Sequence, residues 1–140
     1  MRGNCSLVTG IAGISENIHI NGIIDRYLEH SRIFIFANGG EEKYYIGSAD
    51  WMPRNLDNRI EVLTPVYDKE IQADLKRIVC YGYRDTTKGR IVDGTGENRP
   101  WENRPSTLCK DFAPALAEAE TATVVFRSQE ELYRKYKNTL

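Results

Sequence analysis

A histidine, an arginine and a glycine-serine segment form the most chemically suggestive pattern in this sequence. His30 stands two residues before Arg32, and Gly47-Ser48-Ala49-Asp50 follows further along the chain. An imidazole exchanges a proton near neutral pH, and a guanidinium binds phosphate oxygens through paired hydrogen bonds. With a hydroxyl from Ser48 and close backbone approach at Gly47, these residue types predict a site for a phosphate-bearing ligand.

Two further arginines, Arg54 and Arg59, follow this pattern, and Arg2 precedes it. All of these positions fall in loops or at the ends of predicted strands, where catalytic side chains usually project. The same residues also have ordinary explanations, because a histidine at a strand edge is commonly a surface residue and Gly-Ser-Ala-Asp is frequent in turns. On spacing alone, a phosphate site and a set of unremarkable surface residues both remain open.

A β-hairpin is expected to bring the parts of this pattern together. Residues 32–36 are apolar on both faces, which predicts a central strand covered on both sides. Asn38-Gly39-Gly40 supplies a tight turn, and residues 43–48 form the returning strand. Because the start of one hairpin strand lies beside the end of the other, His30 should lie next to the segment from Ser48 to Asp50.

Other segments predict a mixed α/β (α+β) fold. Asp68 is expected to cap a helix over residues 69–80, and Ser128 to open a capping box for a helix that ends near residue 136. Trp51 and Met52 should anchor their loop in the core. The remaining expectations are strands over residues 2–8, 18–24 and 60–66, an irregular loop or hairpin over 85–104, and a short helical segment over 113–119.

Length, charge and cysteine content narrow the class of protein. A chain of 140 residues fits one domain, with a core over residues 1–84 and an irregular loop plus helical extension over 85–140. The 19 basic and 20 acidic residues give a formal net charge of -1, so no overall positive potential favours binding to nucleic acid. Three cysteines at unrelated spacings predict reduced, inert thiols, no metal site and a cytoplasmic setting. We expect neither a signal peptide nor a transmembrane segment.

Several segments closely resemble the last catalytic domain of long-form bacterial polyphosphate kinases. The resemblance runs from about residue 2 to 65 and includes the predicted helix over 69–80. It implies a phospholipase-D-like half with a mixed sheet flanked by helices. The residues that carry it are Ser15-Glu16-Asn17-Ile18, Asp25 to Arg32, Asn38-Gly39-Gly40, Gly47 to Asp57 and Arg59-Ile60-Glu61-Val62.

The resemblance also implies a role for each candidate residue. His30 matches a histidine that acts as general acid or base, whereas the histidine that becomes phosphorylated belongs to a preceding domain. Arg2 matches an arginine that contacts ATP phosphates, and Arg59 matches another positively charged residue of the same pocket. Ser48 and Asp50 would complete this phosphate-binding pocket. The implied ligands are ATP or ADP, inorganic polyphosphate and Mg²⁺ bound with ATP.

The resemblance further implies that the chain is a fragment of a longer enzyme. Alone it should be inactive, and in full length it should work with its upstream domains as a homo-oligomer in the cytoplasm or associated with a membrane. Two alternatives stay open. A phospholipase-D-like nuclease or lipase half would need lysine at position 32, where Arg32 stands, and a non-catalytic phosphate-binding module would need only the arginines.

Overall fold

The computed structural model describes residues 5–101, 109 and 125–137. The chain divides into two compact units, of which the first comprises the described residues of Met1–Leu28 and Cys80–Leu140 and the second comprises Glu29–Val79. The helices and strands confirm the predicted mixed α/β class. They are β1 (Asn21–Ile23), β2 (Ile33–Phe36), β3 (Lys43–Gly47), α1 (Pro53–Leu56), β4 (Leu63–Val66), α2 (Lys69–Tyr83), β5 (Gly89–Ile91) and α3 (Ser128–Tyr136).

The second unit contains an antiparallel sheet of three strands in the order β2-β3-β4. The predicted hairpin is confirmed, with Ile33 opposite Ile46 and with positive φ angles of 44° at Asn38 and 67° at Gly39 in its turn. Asparagine and glycine tolerate this backbone conformation, which explains the sharp reversal. The prediction that residues 32–36 form the central strand is wrong, because β3 pairs on both sides and carries the buried Tyr44.

Helix α2 begins as predicted and extends three residues further. The Asp68 carboxylate accepts hydrogen bonds from the backbone N–H groups of Glu70 and Ile71, at 2.9 and 3.0 Å, which satisfies donors that a helix start leaves unpaired. Within the second unit, the Gln72 side-chain amide donates to the carbonyl of Val66 at 2.7 Å and so fastens the first turn of α2 to the end of β4.

In the first unit, β1 and β5 form an antiparallel pair in which Asn21 lies opposite Ile91. The side chain of Trp101 is buried beside this pair, and its indole N–H donates to the carbonyl of Tyr83 at 2.5 Å. The N–H of Ile91 donates to the carbonyl of Arg99 at 3.0 Å, and the N–H of Trp101 donates to the carbonyl of Gly89 at 2.9 Å. The described part of the segment predicted as an irregular loop or hairpin over 85–104 is therefore an irregular hairpin. Of the predicted strand over 2–8, residues 5–8 adopt no regular structure, and the helical segment expected over 113–119 lies outside the described residues.

Helix α3 confirms the predicted final helix, but the predicted capping box is wrong. Arg127 occupies the N-cap position and makes no side-chain capping bond. Ser128 is the first helical residue, and its backbone N–H and hydroxyl both donate to the carboxylate of Asp85, at 2.8 and 2.7 Å. A buried carboxylate from far along the chain thus caps this helix in place of the local hydroxyl.

Two sequence expectations about single side chains are also wrong. Cys80 and Cys109 form a disulfide with a Cα–Cα distance of 5.5 Å, so they are not reduced thiols, whereas Cys5 is free. Trp51 does not anchor its loop in a core, since it is 74% exposed and stacks on Phe34 with ring centroids 5.8 Å apart. Among the described residues, no helix has the length and apolar character needed to cross a bilayer.

Candidate phosphate site at the end of the three-stranded sheet

Three segments of the second unit end at the same edge of its sheet. The N–H of Gly47 donates to the carbonyl of Arg32 at 3.0 Å, one residue beyond the paired ends of β2 and β3. The N–H of Ser48 donates to the carbonyl of Val62 at 3.1 Å, just before β4 begins. Antiparallel register therefore places residues 30–32, 47–50 and 61–62 together, as the hairpin argument predicts.

The Arg32 guanidinium links two of these segments. Its Nε and Nη2 atoms donate to the same carboxylate oxygen of Asp50, at 3.1 and 2.9 Å. Its Nη1 atom donates to the backbone carbonyl of His30 at 2.7 Å. The side chain of Arg32 is only 16% exposed and that of Asp50 is 47% exposed, so the ion pair is partly shielded from solvent. One planar cation thus joins the main chain at His30, upstream of β2, to the loop after β3.

A short helix supports the main chain at Asp50. Pro53 stands at the start of α1, where its fixed φ angle and missing N–H are tolerated. The Asn55 side chain is only 2% exposed and donates through its Nδ2 atom to the carbonyl of Asp50 at 3.2 Å. The buried Asn55 Oδ1 atom has no hydrogen-bond partner among the described residues. The loop after β3 is therefore held by a buried amide.

The hydroxyl of Ser48 makes two contacts inside the second unit. It donates to the Glu61 carboxylate and accepts a hydrogen bond from the N–H of Val62 at 3.1 Å. This places Ser48 at the predicted edge and gives its hydroxyl the task of joining the chain after β3 to the chain before β4. Glu61 was not predicted as a site residue, because its carboxylate lies in an otherwise apolar segment and the Ser48 contact spans 13 residues.

The remaining predicted residues differ in how the structure places them. Within the described ranges, the exposed side chains of His30 and Arg59 take part in no hydrogen bond or ion pair. Arg59 lies two residues before Glu61, and within the described part of the chain no hydrogen bond or ion pair joins it to the other candidates. Arg2 lies outside the described residues. Arg32 therefore connects the backbone of His30 to the side chain of Asp50, and Ser48 lies at the same edge of the sheet. A shared pocket that also includes Arg59 and Arg2 stays a prediction.

A shallow apolar cavity of about 230 Å³ adjoins the same edge of the sheet. Glu61 contributes a charged side chain to its lining. Phe34, Trp51 and Leu56 contribute large apolar side chains, and both Trp51 and Leu56 are mostly exposed. The polar contacts of Ser48 and Asp50 thus lie beside an open apolar surface.

A family model described as polyphosphate kinase C-terminal domain 2 matches residues 1–110. The chain belongs to this family. The match confirms the family resemblance found in the sequence, and it covers all five predicted site residues, which are Arg2, His30, Ser48, Asp50 and Arg59.

Curated relatives from several bacteria carry the same family name. A polyphosphate kinase of Escherichia coli strain K12 is 48% identical over an alignment of 126 positions, and this alignment covers 86% of this chain and 18% of that protein. One from Thermosynechococcus vestitus is 44% identical over 124 residues, which cover 88% of this chain and 15% of the relative. The chain thus spans less than a fifth of the length of these relatives.

A solved structure supports the fold of this polyphosphate kinase domain. The crystal structure of polyphosphate kinase from Porphyromonas gingivalis matches with a TM-score of 0.68 and 35% sequence identity. The match covers 89% of this chain and 17% of that one. The C-terminal domain of polyphosphate kinases is therefore the architecture that positions the candidate site.

Proposed function

We propose that this domain is the carboxyl-terminal catalytic part of a polyphosphate kinase, an ATP:polyphosphate phosphotransferase. The intact enzyme would transfer the γ-phosphate of ATP reversibly to inorganic polyphosphate through a phosphohistidine in an upstream domain. Membership of the family supports this reaction. The observation that carries the role of this domain is the Gly47–Arg32 backbone bond of 3.0 Å, because it brings the chain at His30 beside the loop that holds Ser48 and Asp50.

In this proposal His30 protonates the leaving group, which is ADP. When the upstream histidine attacks the γ-phosphorus, negative charge develops on the oxygen that bridges to ADP. A protonated His30 would donate its proton to that oxygen, which is general acid catalysis. The exposed imidazole suits this role because no group in the described part of the chain engages it. In the reverse direction the same imidazole accepts the proton.

The arginines supply positive charge in the same proposal. Arg59 and Arg2 would hold the non-bridging phosphate oxygens, where a loose phosphoryl-transfer transition state carries much of its charge. Arg59 is exposed and has no internal ion pair among the described residues, so its guanidinium is available to an anion. Ser48 and Asp50 would form the wall of this pocket, with their side chains held by Glu61 and Arg32.

Magnesium enters the proposal only as the ion that accompanies ATP. No group of three or more histidine, cysteine, aspartate or glutamate side chains within the described ranges could hold a metal ion. One carboxylate oxygen of Asp50 already accepts two hydrogen bonds from Arg32. These residues therefore do not fit a resident metal site, and no step of the mechanism is assigned to one.

A segment exchange tests the proposed function. The chain would replace the aligned part of the Escherichia coli K12 enzyme, which is 48% identical over 126 residues. We expect the chimera to form a phosphoenzyme and to lengthen polyphosphate. His30→Ala should lower the transfer rate by about 100-fold or more, as the loss of a general acid does. Nucleotide affinity should change little, and His19→Ala is the matched control.

The outcomes separate the competing functions. Unchanged transfer in His30→Ala would contradict the catalytic role and favour a phosphate-binding module. Hydrolysis of a phosphodiester by the chimera, without polyphosphate synthesis, would favour the phospholipase-D-like alternative. The isolated chain should form no phosphoenzyme with radiolabelled ATP, because its partner half supplies the nucleophile. Phosphate found on His30 by mass spectrometry would refute that division of roles.

A further inference from the structure

We propose that Asp50 is a positioning residue that acts through Arg32 to fix the main chain at His30. This inference rests on the proposed function, in which the His30 imidazole transfers the proton. Its basis is the chain of contacts in which Asp50 accepts from Nε and Nη2 of Arg32, while Nη1 of the same guanidinium donates to the His30 carbonyl at 2.7 Å. The guanidinium is planar, so its orientation toward Asp50 also sets its orientation toward His30.

The charge of Asp50 argues against a direct phosphate contact. A carboxylate repels the anionic oxygens of ATP and polyphosphate, so an aspartate in an anion site needs another explanation. Its contacts provide one, since a single oxygen accepts two hydrogen bonds from Arg32 at 3.1 and 2.9 Å. Charge-assisted hydrogen bonds of this kind orient their partners strongly. Asp50 therefore holds a cation in place and does not itself bind the substrate.

The geometry also explains why position 32 carries arginine. Lysine presents one compact ammonium, which lacks the rigid fork that lets a guanidinium hold a carboxylate on one side and a carbonyl on another. The support extends one step further, because the buried Asn55 amide donates to the main-chain carbonyl of Asp50. The contacts from Asn55 to Asp50, from Asp50 to Arg32 and from Arg32 to His30 form one continuous connection, which we call the histidine brace.

Steady-state kinetics of the chimera described above give the first test of the histidine brace. Asp50→Ala removes the carboxylate oxygen that accepts both hydrogen bonds from Arg32. We expect kcat to fall by about 10- to 100-fold, while KM for ATP changes by less than about threefold, because proton transfer loses its alignment and binding keeps its arginines. Arg32→Lys should act alike, and the double variant should be little worse than either single variant. Asp57→Ala, at an exposed aspartate in the same region, is the matched control.

NMR of the 140-residue chain gives a second test that needs no kinase activity. Its two histidines make His19 an internal reference for His30. In Asp50→Ala, the carbonyl carbon resonance of His30 should shift and the order parameter of the Ser31 amide should fall from about 0.85 toward about 0.6. The resonances at His19, in the first unit, should stay in place, and the dispersed amide resonances of β3 and β4 should persist, which shows that the second unit folds in the variant.

These two tests distinguish a failed brace from a failed function. An unchanged His30 carbonyl and Ser31 order parameter would overturn the inference whatever the enzyme does. A large rise in KM for ATP with kcat preserved would also overturn it, because Asp50 would then act on binding. If the chimera with unaltered residues made no polyphosphate, the proposed function would fail, and the NMR result would still decide whether Asp50 orders the chain at His30.

Discussion

The buried carboxylate of Asp85 leads to a sharp prediction about the stability of the first unit. Its side chain is fully buried, with a residue exposure of 0%. One carboxylate oxygen accepts hydrogen bonds from the backbone N–H groups of Thr87, Lys88 and Gly89, at 3.0, 2.6 and 3.2 Å. The other accepts from the N–H and hydroxyl of Ser128. This single group therefore joins the turn before β5 to the start of helix α3.

Asp85→Asn should be strongly destabilising because an amide has only one acceptor oxygen. If the NH₂ group faces Ser128, the hydroxyl can turn to accept from it, but the Ser128 backbone N–H loses its partner. If the NH₂ group faces the turn, three backbone N–H groups lose theirs, so either orientation leaves at least one backbone N–H buried without a partner. Bonds to charged groups contribute about 1.5–3 kcal/mol each and are not additive, so we expect the free energy of unfolding to fall by about 3–5 kcal/mol. The same substitution at Asp68, which caps α2, should change it by less than about 0.5 kcal/mol, because asparagine caps helices as well as aspartate does.

Urea denaturation followed by far-UV circular dichroism would measure this difference in stability. Hydrogen exchange at the α3 amides would show whether the helix opens separately, since two compact units need not unfold in one transition. We expect faster exchange in α3 for Asp85→Asn and unchanged exchange for Asp68→Asn. Losses below about 1 kcal/mol in both variants would refute the reasoning that the buried carboxylate fastens α3.

Three other predictions concern the first unit. A methyl group added in Gly89→Ala would overlap the Asp85 carbonyl oxygen and approach Trp101, whereas one added in the control Gly82→Ala has its nearest neighbour at 3.5 Å. The melting temperature of Gly89→Ala should therefore fall far below that of Gly82→Ala. Hydrogen bonding from Arg127 lowers the pKa of Asp25 below its usual 3.8, so the ionised Asp25 adds to the free energy of unfolding above that pH. This contribution is lost as the pH falls through the lowered pKa, and an Arg127→Met variant should not show the loss when its stability is measured against pH. Reducing the disulfide, whose cysteines are 29 residues apart, should lower the free energy of unfolding by about 3.5 kcal/mol in denaturation with and without a thiol.

Features that depend on neighbouring residues could be predicted from the sequence. Asn38 and Gly39 adopt the positive φ angles that their residue types permit, and the hairpin follows from that turn. Asp68 caps α2 because its side chain reaches N–H groups only two and three residues away. In both cases the interaction that decides the structure lies within a few residues, so the local pattern contains the information.

Features that depend on distant partners could not be predicted in this way. Ser128 matches the capping-box pattern, but its hydroxyl donates to a carboxylate 43 residues earlier, which no local pattern reveals. The apolar residues of β2 suggested a central strand, but the pairing of β3 with β4 leaves β2 at the sheet edge. Cys80 and Cys109 are likewise joined across 29 residues without a characteristic spacing. Each error arose where tertiary contacts outweighed a local preference.

The candidate site contains both a feature that local sequence predicts and a feature that depends on distant contacts. Hairpin register predicted that the chain at His30 lies beside the loop with Asp50, and the backbone bond between Gly47 and Arg32 agrees with it. Register does not say which atoms a side chain contacts, and the family resemblance implied only that Asp50 completes the phosphate-binding pocket. Its contact with Arg32 supports a different division of labour, in which the carboxylate orients a cation and the cation orients the main chain at His30. A negatively charged side chain can then assist an anion site without repelling the anion at close range.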